Sequence, residues 1–306
     1  MGIVVIGATF VDIKGFPEDN YIPTGRNVGR VEYLHGGVAR NVVEDIANVE
    51  LRPTYLGIVD DSPLGVSVIQ KLNKHKINTD YVLTRSDGMG TWLAIFDNHG
   101  DVAGSISRRP NMLPLLDVLE EKGDEIFSTA PSVVIEVDLD KDIVKKVLSL
   151  SEKHGCKVFG VVSNMSIAAK RRDFLQRFDC FICNQQEAGQ LFLDDYTGKS
   201  PEEMRQILLS KVLGANIPSM VVTMGALGAV YADRSGLSGI CPARNVQVKD
   251  TTGAGDAFCA GVAIGMTYGK SLPDAIDIGS MLAASVITSS ENVCPRFLPG
   301  ELGLNL

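Results

Sequence analysis

The segment Asp250-Thr251-Thr252-Gly253-Ala254-Gly255-Asp256-Ala257-Phe258, leading into the small-residue run CAGVAIGM, joins two things that phosphoryl transfer requires. A Gly-Ala-Gly turn at a helix start presents successive backbone N–H groups, and the helix dipole adds to their attraction for an anion. Gly253, Ala254 and Gly255 are therefore candidates for an anion hole, with Thr252 beside them. Asp256, just inside the helix, is placed to take a proton from a hydroxyl attacking in line with the γ-phosphate of a nucleotide. From this turn alone, the glycines serve close helix packing equally well, and Asp256 serves equally well as a helix cap.

Other residues suit a polyol. Asp12, after the first strand, can accept hydrogen bonds from two vicinal hydroxyls, while Asn41 both donates and accepts. Gly36 and Gly37, lacking side chains, let a sugar ring approach the backbone. Asn184-x-x-Glu187 follows an apolar run and in isolation is an ordinary polar helix start. Neither the Gly-x-x-x-x-Gly-Lys-Ser/Thr phosphate loop nor the dinucleotide fingerprint Gly-x-Gly-x-x-Gly is present, which excludes a Walker-type nucleotide site and weakens a dehydrogenase reading.

Taken in order along nearly the whole chain, Asp12, Gly36-Gly37-Val38-Ala39-Arg40-Asn41, Asn184-x-x-Glu187, Thr223-Met224-Gly225-x-x-Gly228 and DTTGAGDAF resemble the motifs of the ribokinase-like, or PfkB, carbohydrate kinases. The resemblance implies Asp256 as catalytic base with the Gly253, Ala254 and Gly255 amides as its anion hole, and Asp12, Gly36, Gly37 and Asn41 on the substrate. It implies ATP near Thr223, Gly225, Gly228, Thr252, Gly253 and Gly255, with the adenine beside Ala283 and Ala284. Magnesium would be held through water by Glu187 and Asn184, and a monovalent-cation site, with potassium as the candidate ion, would lie near Asp250.

The wording of VDIKGFP, GRNVGRVEYLHGGVARNVVEDIA and FDNHGDVAGSIS is most similar to pseudouridine kinases, which implies transfer of the γ-phosphoryl group to the 5′-hydroxyl of pseudouridine. The alternatives are a kinase of ribose, fructose phosphate, ketodeoxygluconate or a purine nucleoside, and a non-catalytic ligand-binding member. Two stretches depart from the pattern: Gly160-Val161-Val162-Ser163 stands where an Asp-Pro-Val-Ser string is usual, and Arg108-Arg109 replaces an Asp-Met-like pair. These arginines, and Lys14, either touch substrate or lie solvated on the lid, the commoner fate of surface arginines.

The elements that must position these residues alternate. GIVVIG, PTYLGIV, PSVVIEV, KVFGVV, CFICN and SMVVTM read as buried strands, and GGVARNVVEDIANV, PLGVSVIQKLNKHK, KDIVKKVLSLSEKHG and PEEMRQILLSKVL as helices. The succession predicts an α/β fold, a doubly wound and mainly parallel sheet with helices on both faces. Residues 13–35 and 86–108 break the rhythm with Pro, Gly and alternating segments, including a hairpin at Asn98-His99-Gly100. They are expected to form a small β-rich lid inserted into one domain spanning 1–306, and exposed lid edges favour a homodimer.

Composition bounds the rest. A chain of 306 residues with 45% hydrophobic content can bury a large core, and its formal net charge of -8, without a Lys/Arg run, argues against nucleic-acid partners. The six cysteines form no disulfide framework, and Cys180-x-x-Cys183 would point to opposite faces of a strand, so both read as core residues. With Met1 leading directly into a strand and Asp256 interrupting the longest apolar stretch, no leader or membrane span is read, and the expected compartment is the cytoplasm. The expected partner is a small-molecule nucleoside or sugar.

Overall fold

The computed structural model describes residues 2–304. Its strands, in chain order, are β1 (Val4–Ile6), β2 (Phe10–Pro17), β3 (Gly29–Gly36), β4 (Thr54–Leu56), β5 (Ile58–Val59), β6 (Leu83–Thr84), β7 (Gly90–Phe96), β8 (Val102–Arg108), β9 (Ser132–Glu136), β10 (Lys157–Val161), β11 (Cys180–Asn184), β12 (Ser219–Thr223), β13 (Ala229–Asp233) and β14 (Ser238–Cys241). Eight of them form one sheet in the order β14-β13-β12-β11-β10-β9-β1-β4. From β4 to β12 every pairing is parallel, and β13 and β14 add an antiparallel edge.

Strands buried on both faces must be apolar on both, which is why they read as β-branched runs rather than alternating ones. Val4 and Ile6 enter one core, while Ile3 and Val5 enter the other. The Lys141–His154 and Pro201–Ala215 helices cover the first face; Val38–Asn48, Ala254–Thr267 and Leu272–Ile287 cover the second. Cys183 belongs to one core and Cys180 to the other, both buried, as strand alternation requires. Ser200 opens the Pro201–Ala215 helix with a reciprocal capping box to Glu203, and Gly155, in left-handed conformation, closes Lys141–His154.

PTYLGIV does not form a single strand. Its Thr54–Leu56 half stays in the main sheet, whereas Ile58–Val59 turns away after Gly57 to pair with β6. The bend requires glycine, because a Cβ at position 57 would meet the Tyr55 ring at 2.5 Å. Tyr55 Oη in turn donates to the Gly7 carbonyl.

The stretches expected to form the lid build a second, four-stranded sheet, β3-β2-β7-β8, with β2 and β7 parallel and the outer pairings antiparallel. Its first strand begins at Phe10, so Asp12 sits on the lid itself rather than in a turn leading to it. The hairpin between β7 and β8 is tied by the Asp97 carboxylate, which accepts from the backbone N–H groups of His99 and Asp101 at 2.8 and 3.0 Å.

Candidate active site

The Ala254–Thr267 helix starts at Gly253, whose φ of +83° lies in the left-handed region. A Cβ at Gly253 would stand 2.0 Å from the Asn292 carbonyl oxygen, so the turn is pressed against the loop that follows the Leu272–Ile287 helix. Asn292 also donates to the His35 carbonyl at 2.8 Å, which joins that loop to the end of lid strand β3. Thr252 N–H donates to the Asp250 carboxylate at 2.8 Å.

Asp256 lies on the first turn of this helix, half-buried, and is not the cap. Asn41 Nδ2 donates to its Oδ2 at 2.6 Å. The orientation of that amide is set by Arg40, which is fully buried and donates through Nη2 to Asn41 Oδ1 and to the His35 carbonyl. Arg40 also donates through Nε to the Gly36 carbonyl at 3.3 Å and through Nη1 to Glu44 at 2.6 Å. Desolvation pushes the Asp256 carboxyl up to about 7, with the Asn41 hydrogen bond and Arg40 pulling the other way. A carboxyl so poised is a competent proton acceptor near neutral pH.

Asp12 faces this group from β2. Its carboxylate packs on Gly36, where a Cβ would meet Oδ1 at 2.3 Å, so a side chain at position 36 would displace it. Burial raises the Asp12 pKa, and Lys14 and Arg40 oppose the rise. Lys14, on the same strand face, is buried and donates to Thr252 Oγ1 at 3.4 Å, linking the lid to the glycine turn.

On the other side of Asp256 a cavity of about 170 Å³ is lined by Asn184, Glu187, Thr223 and Gly255 together with Asp256. Asn184 and Glu187 form a reciprocal capping box at 2.8 Å in each direction, so the helix-start reading of Asn-x-x-Glu holds structurally. Burial raises the Glu187 carboxyl as well, and the charge of Asp138 adds to it. Gly225 and Gly228 lie beyond Thr223 in the β12–β13 turn, outside the cavity lining. Both have positive φ, and a Cβ at Gly228 would meet the Cys241 carbonyl oxygen at 2.1 Å. Ala283 and Ala284 fall on the Leu272–Ile287 helix, Ala284 buried and Ala283 partly so.

Sequence reasoning passed over several residues. Glu136, buried at the end of β9, accepts from the Ala39 and Ala8 amides at 2.9 and 3.2 Å, fixing the start of the Val38–Asn48 helix against β1. Desolvation and the neighbouring Asp138 raise its pKa to about 8. Arg109 is not a solvated lid residue: it donates through Nη1 to Asp138 Oδ2 at 2.6 Å. Ser163 donates to the same carboxylate through its amide and its hydroxyl, both at 2.9 Å, so the two sequence departures meet at one buried acid. Arg108 is likewise engaged, donating to the Met89 carbonyl at 2.8 Å.

The inner face of the lid was also missed. Strand pairing sets Trp92 opposite Asp12, and Phe96 follows on the same face, beneath the Lys14 ammonium at 5.9 Å. Phe96 stacks on Phe16 with ring centroids 4.8 Å apart and meets Trp92 edge-on at 6.5 Å. The alternation in TWLAIF was the signal available for this grouping.

A doubly wound sheet that carries this glycine turn at its carboxyl edge, under a β lid, is the architecture of an ATP-dependent sugar or nucleoside kinase. The chain belongs to the pfkB family of carbohydrate kinases, whose model matches residues 2–294. Among curated proteins it is 35% identical over 292 residues to a guanosine-inosine kinase of Exiguobacterium acetylicum, covering 95% of each chain. It is 23% identical to a pseudouridine kinase of Escherichia coli, covering 95% of this chain and 93% of that one. Among solved structures, Arabidopsis thaliana ribokinase complexed with ribose and ATP superposes with a TM-score of 0.85 at 21% identity, covering 98% of both chains, and shares the fold.

Proposed function

We propose that this kinase transfers the γ-phosphoryl group of ATP to the 5′-hydroxyl of a ribonucleoside, with purine nucleosides preferred. The observation that carries the choice is the lid's inner face, where Trp92 pairs beside Asp12 and Phe96 and Phe16 extend the aromatic run past Lys14. A carboxylate suited to vicinal hydroxyls beside an aromatic cluster fits a ribose bearing a planar base; a free sugar has nothing to place on those rings. The 35% identity to a guanosine-inosine kinase favours a purine, ahead of the pseudouridine suggested by motif wording. Pseudouridine remains the second reading, supported by VDIKGFP and GGVARN and by a pseudouridine kinase relative at 23% identity.

In this mechanism Asp12 and Asn41 orient the sugar, and Asp256 takes the 5′-hydroxyl proton as oxygen attacks phosphorus. The Gly253 to Gly255 amides receive the phosphoryl oxygens. The residues present also fit a magnesium ion: Glu187, its carboxyl raised by burial, shares the cavity with Asn184 and Asp256 and lacks a basic neighbour there. Glu187 and Asn184 would hold the ion through its water, since magnesium dehydrates reluctantly. When bound, it neutralises charge on the phosphate oxygens.

A magnesium-dependent ATP-consumption assay against guanosine, inosine, adenosine, pseudouridine, uridine, cytidine, ribose and fructose 6-phosphate tests the proposal. The highest kcat/KM is expected for guanosine or inosine. A clear preference for ribose or fructose 6-phosphate would discard the aromatic-lid argument.

The outer lid face supports a homodimer. Tyr33, Leu93 and Ile106 stand in one cross-strand row, and Tyr33 and Ile106 are 58% and 70% exposed. Val31 and Ile95 continue the apolar surface in the next row. A contiguous apolar sheet face of this kind suits a second copy of itself. Sedimentation analysis is expected to give a dimer, and Ile106→Asp a monomer; a monomeric parent chain at micromolar concentration rejects this arrangement.

A further inference from the structure

The glycine turn must hold a group carrying several negative charges, although the surrounding carboxyls already include Asp12, Asp250 and Asp256. Backbone amides supply partial charge only, so an uncommitted cation at this position would matter greatly. Three basic side chains that are buried or half-buried approach the site. Arg40 is occupied by Glu44, Asn41 and the carbonyls of His35 and Gly36. Arg109 is occupied by Asp138. Lys14 differs from both: with a side chain only 5% exposed, its ammonium makes one long hydrogen bond to Thr252 Oγ1 at 3.4 Å and stands 4.0 Å from Asp250.

An ammonium has three N–H donors, and a buried one with so few strong partners is costly unless a ligand completes it. Among the described residues near the glycine turn, it is the buried cation with donors to spare; Lys249, just before Asp250, is exposed to water. Its placement is specific. Lys14 lies two residues along β2 from Asp12, on the same face, and reaches the residue immediately before Gly253. A group held by the Gly253–Gly255 amides and attacked by a hydroxyl on Asp12 would therefore lie within reach of Nζ. Phe96 lies beneath the ammonium and keeps that side apolar, which strengthens its attraction for an anion.

We propose that Lys14 is a further catalytic residue, donating to the equatorial oxygens of the γ-phosphoryl group during transfer. This rests on the placement of that group at the glycine turn, but not on which nucleoside is the acceptor. In the step, the bond between the γ-phosphorus and the β,γ-bridging oxygen breaks, with its electron pair leaving on ADP. A bond from the acceptor oxygen to phosphorus forms, and the acceptor proton passes to Asp256. Lys14 stays protonated throughout. Because the β2 strand carries both Lys14 and Asp12, one lid element would hold the acceptor and the group being transferred.

The test compares the parent enzyme with Lys14→Met and Lys14→Arg, measuring kcat, the KM for nucleoside, and the dissociation constants of AMP-PNP and ADP with magnesium. Lys14→Met is expected to lower kcat roughly 10²-fold, in the range for removing one transition-state donor, while the nucleoside KM changes less than about threefold. Its preference for AMP-PNP over ADP should fall about tenfold or more, and Lys14→Arg should restore part of both properties. Equal weakening of AMP-PNP and ADP, or an unaltered kcat, overturns the proposal and leaves Lys14 as a lid latch. If Lys14→Met does not fold, Lys14→Gln carries the same expectations. If the parent enzyme turns over no nucleoside, the nucleoside reading fails, whereas the AMP-PNP and ADP comparison still decides the role of Lys14.

Discussion

Asp256→Asn is expected to lower kcat by about 10² to 10⁴, the usual contribution of a positioned general base, while nucleoside affinity changes little. The small effect on binding follows from the geometry, since an asparagine carbonyl can still accept from Asn41 Nδ2, now 2.6 Å from the carboxylate. Its failure in turnover follows from chemistry, because an amide cannot take the proton. The parent enzyme should also show a pH limb that the variant lacks. Burial raises the Asp256 carboxyl to about 7, the neutral form is inactive as a base, and kcat/KM should therefore rise with pH through that region and fall below it. Isothermal titration with nucleoside and a pH series of initial rates measure both effects. Near-normal turnover in the variant would remove Asp256 from the base role.

The residues legible in the sequence are those whose chemistry is local. The glycine turn, Asp256 and the Asn184–Glu187 pair each span only a few positions of chain, yet each alone fitted a packing or capping role as well, and their order along the chain is what singled them out. Strand and helix periodicity was legible in the long buried runs, but not the bend at Gly57, the antiparallel edge of β13 and β14, or the short helices Leu115–Glu121 and Gly123–Phe127. Interactions that join distant segments were not legible. Lys14 meets Thr252 across 238 positions, and Arg109 and Ser163 meet at Asp138 from two separate elements. Glu136 looked like one more residue of a buried strand; its value lies in amides of Ala8 and Ala39, which the fold alone brings to it. Arg40 illustrates the limit most plainly. Beside Asn41 it read as a helix residue, yet its burial makes it the group that orients the Asn41 amide and, through it, Asp256.

Two glycines of the same turn separate backbone demand from ligand demand. At Gly253, alanine must adopt a left-handed φ of +83° and place its Cβ 2.0 Å from the Asn292 carbonyl oxygen. The conformation alone costs on the order of 1–2 kcal/mol, and the clash cannot be relieved by a rotamer because the opposing atom is backbone. Gly253→Ala should therefore lower the melting temperature by several degrees and displace the loop that carries Asn292, and with it the contact to His35. Because the amides of the turn shift together, kcat should fall about 10² or more as well. At Gly255, by contrast, φ is not positive and an added Cβ meets nothing within 4 Å. Gly255→Ala should keep the parent melting temperature, yet it adds a methyl group at the cavity that also contains Asp256 and Thr223. Its expected defect is kinetic: a raised KM for ATP with an intact fold. Differential scanning calorimetry beside steady-state kinetics distinguishes the two. A Gly255→Ala enzyme with parental ATP kinetics would mean that the phosphate does not approach this turn, and the anion-hole assignment for Gly253 to Gly255 would fall with it.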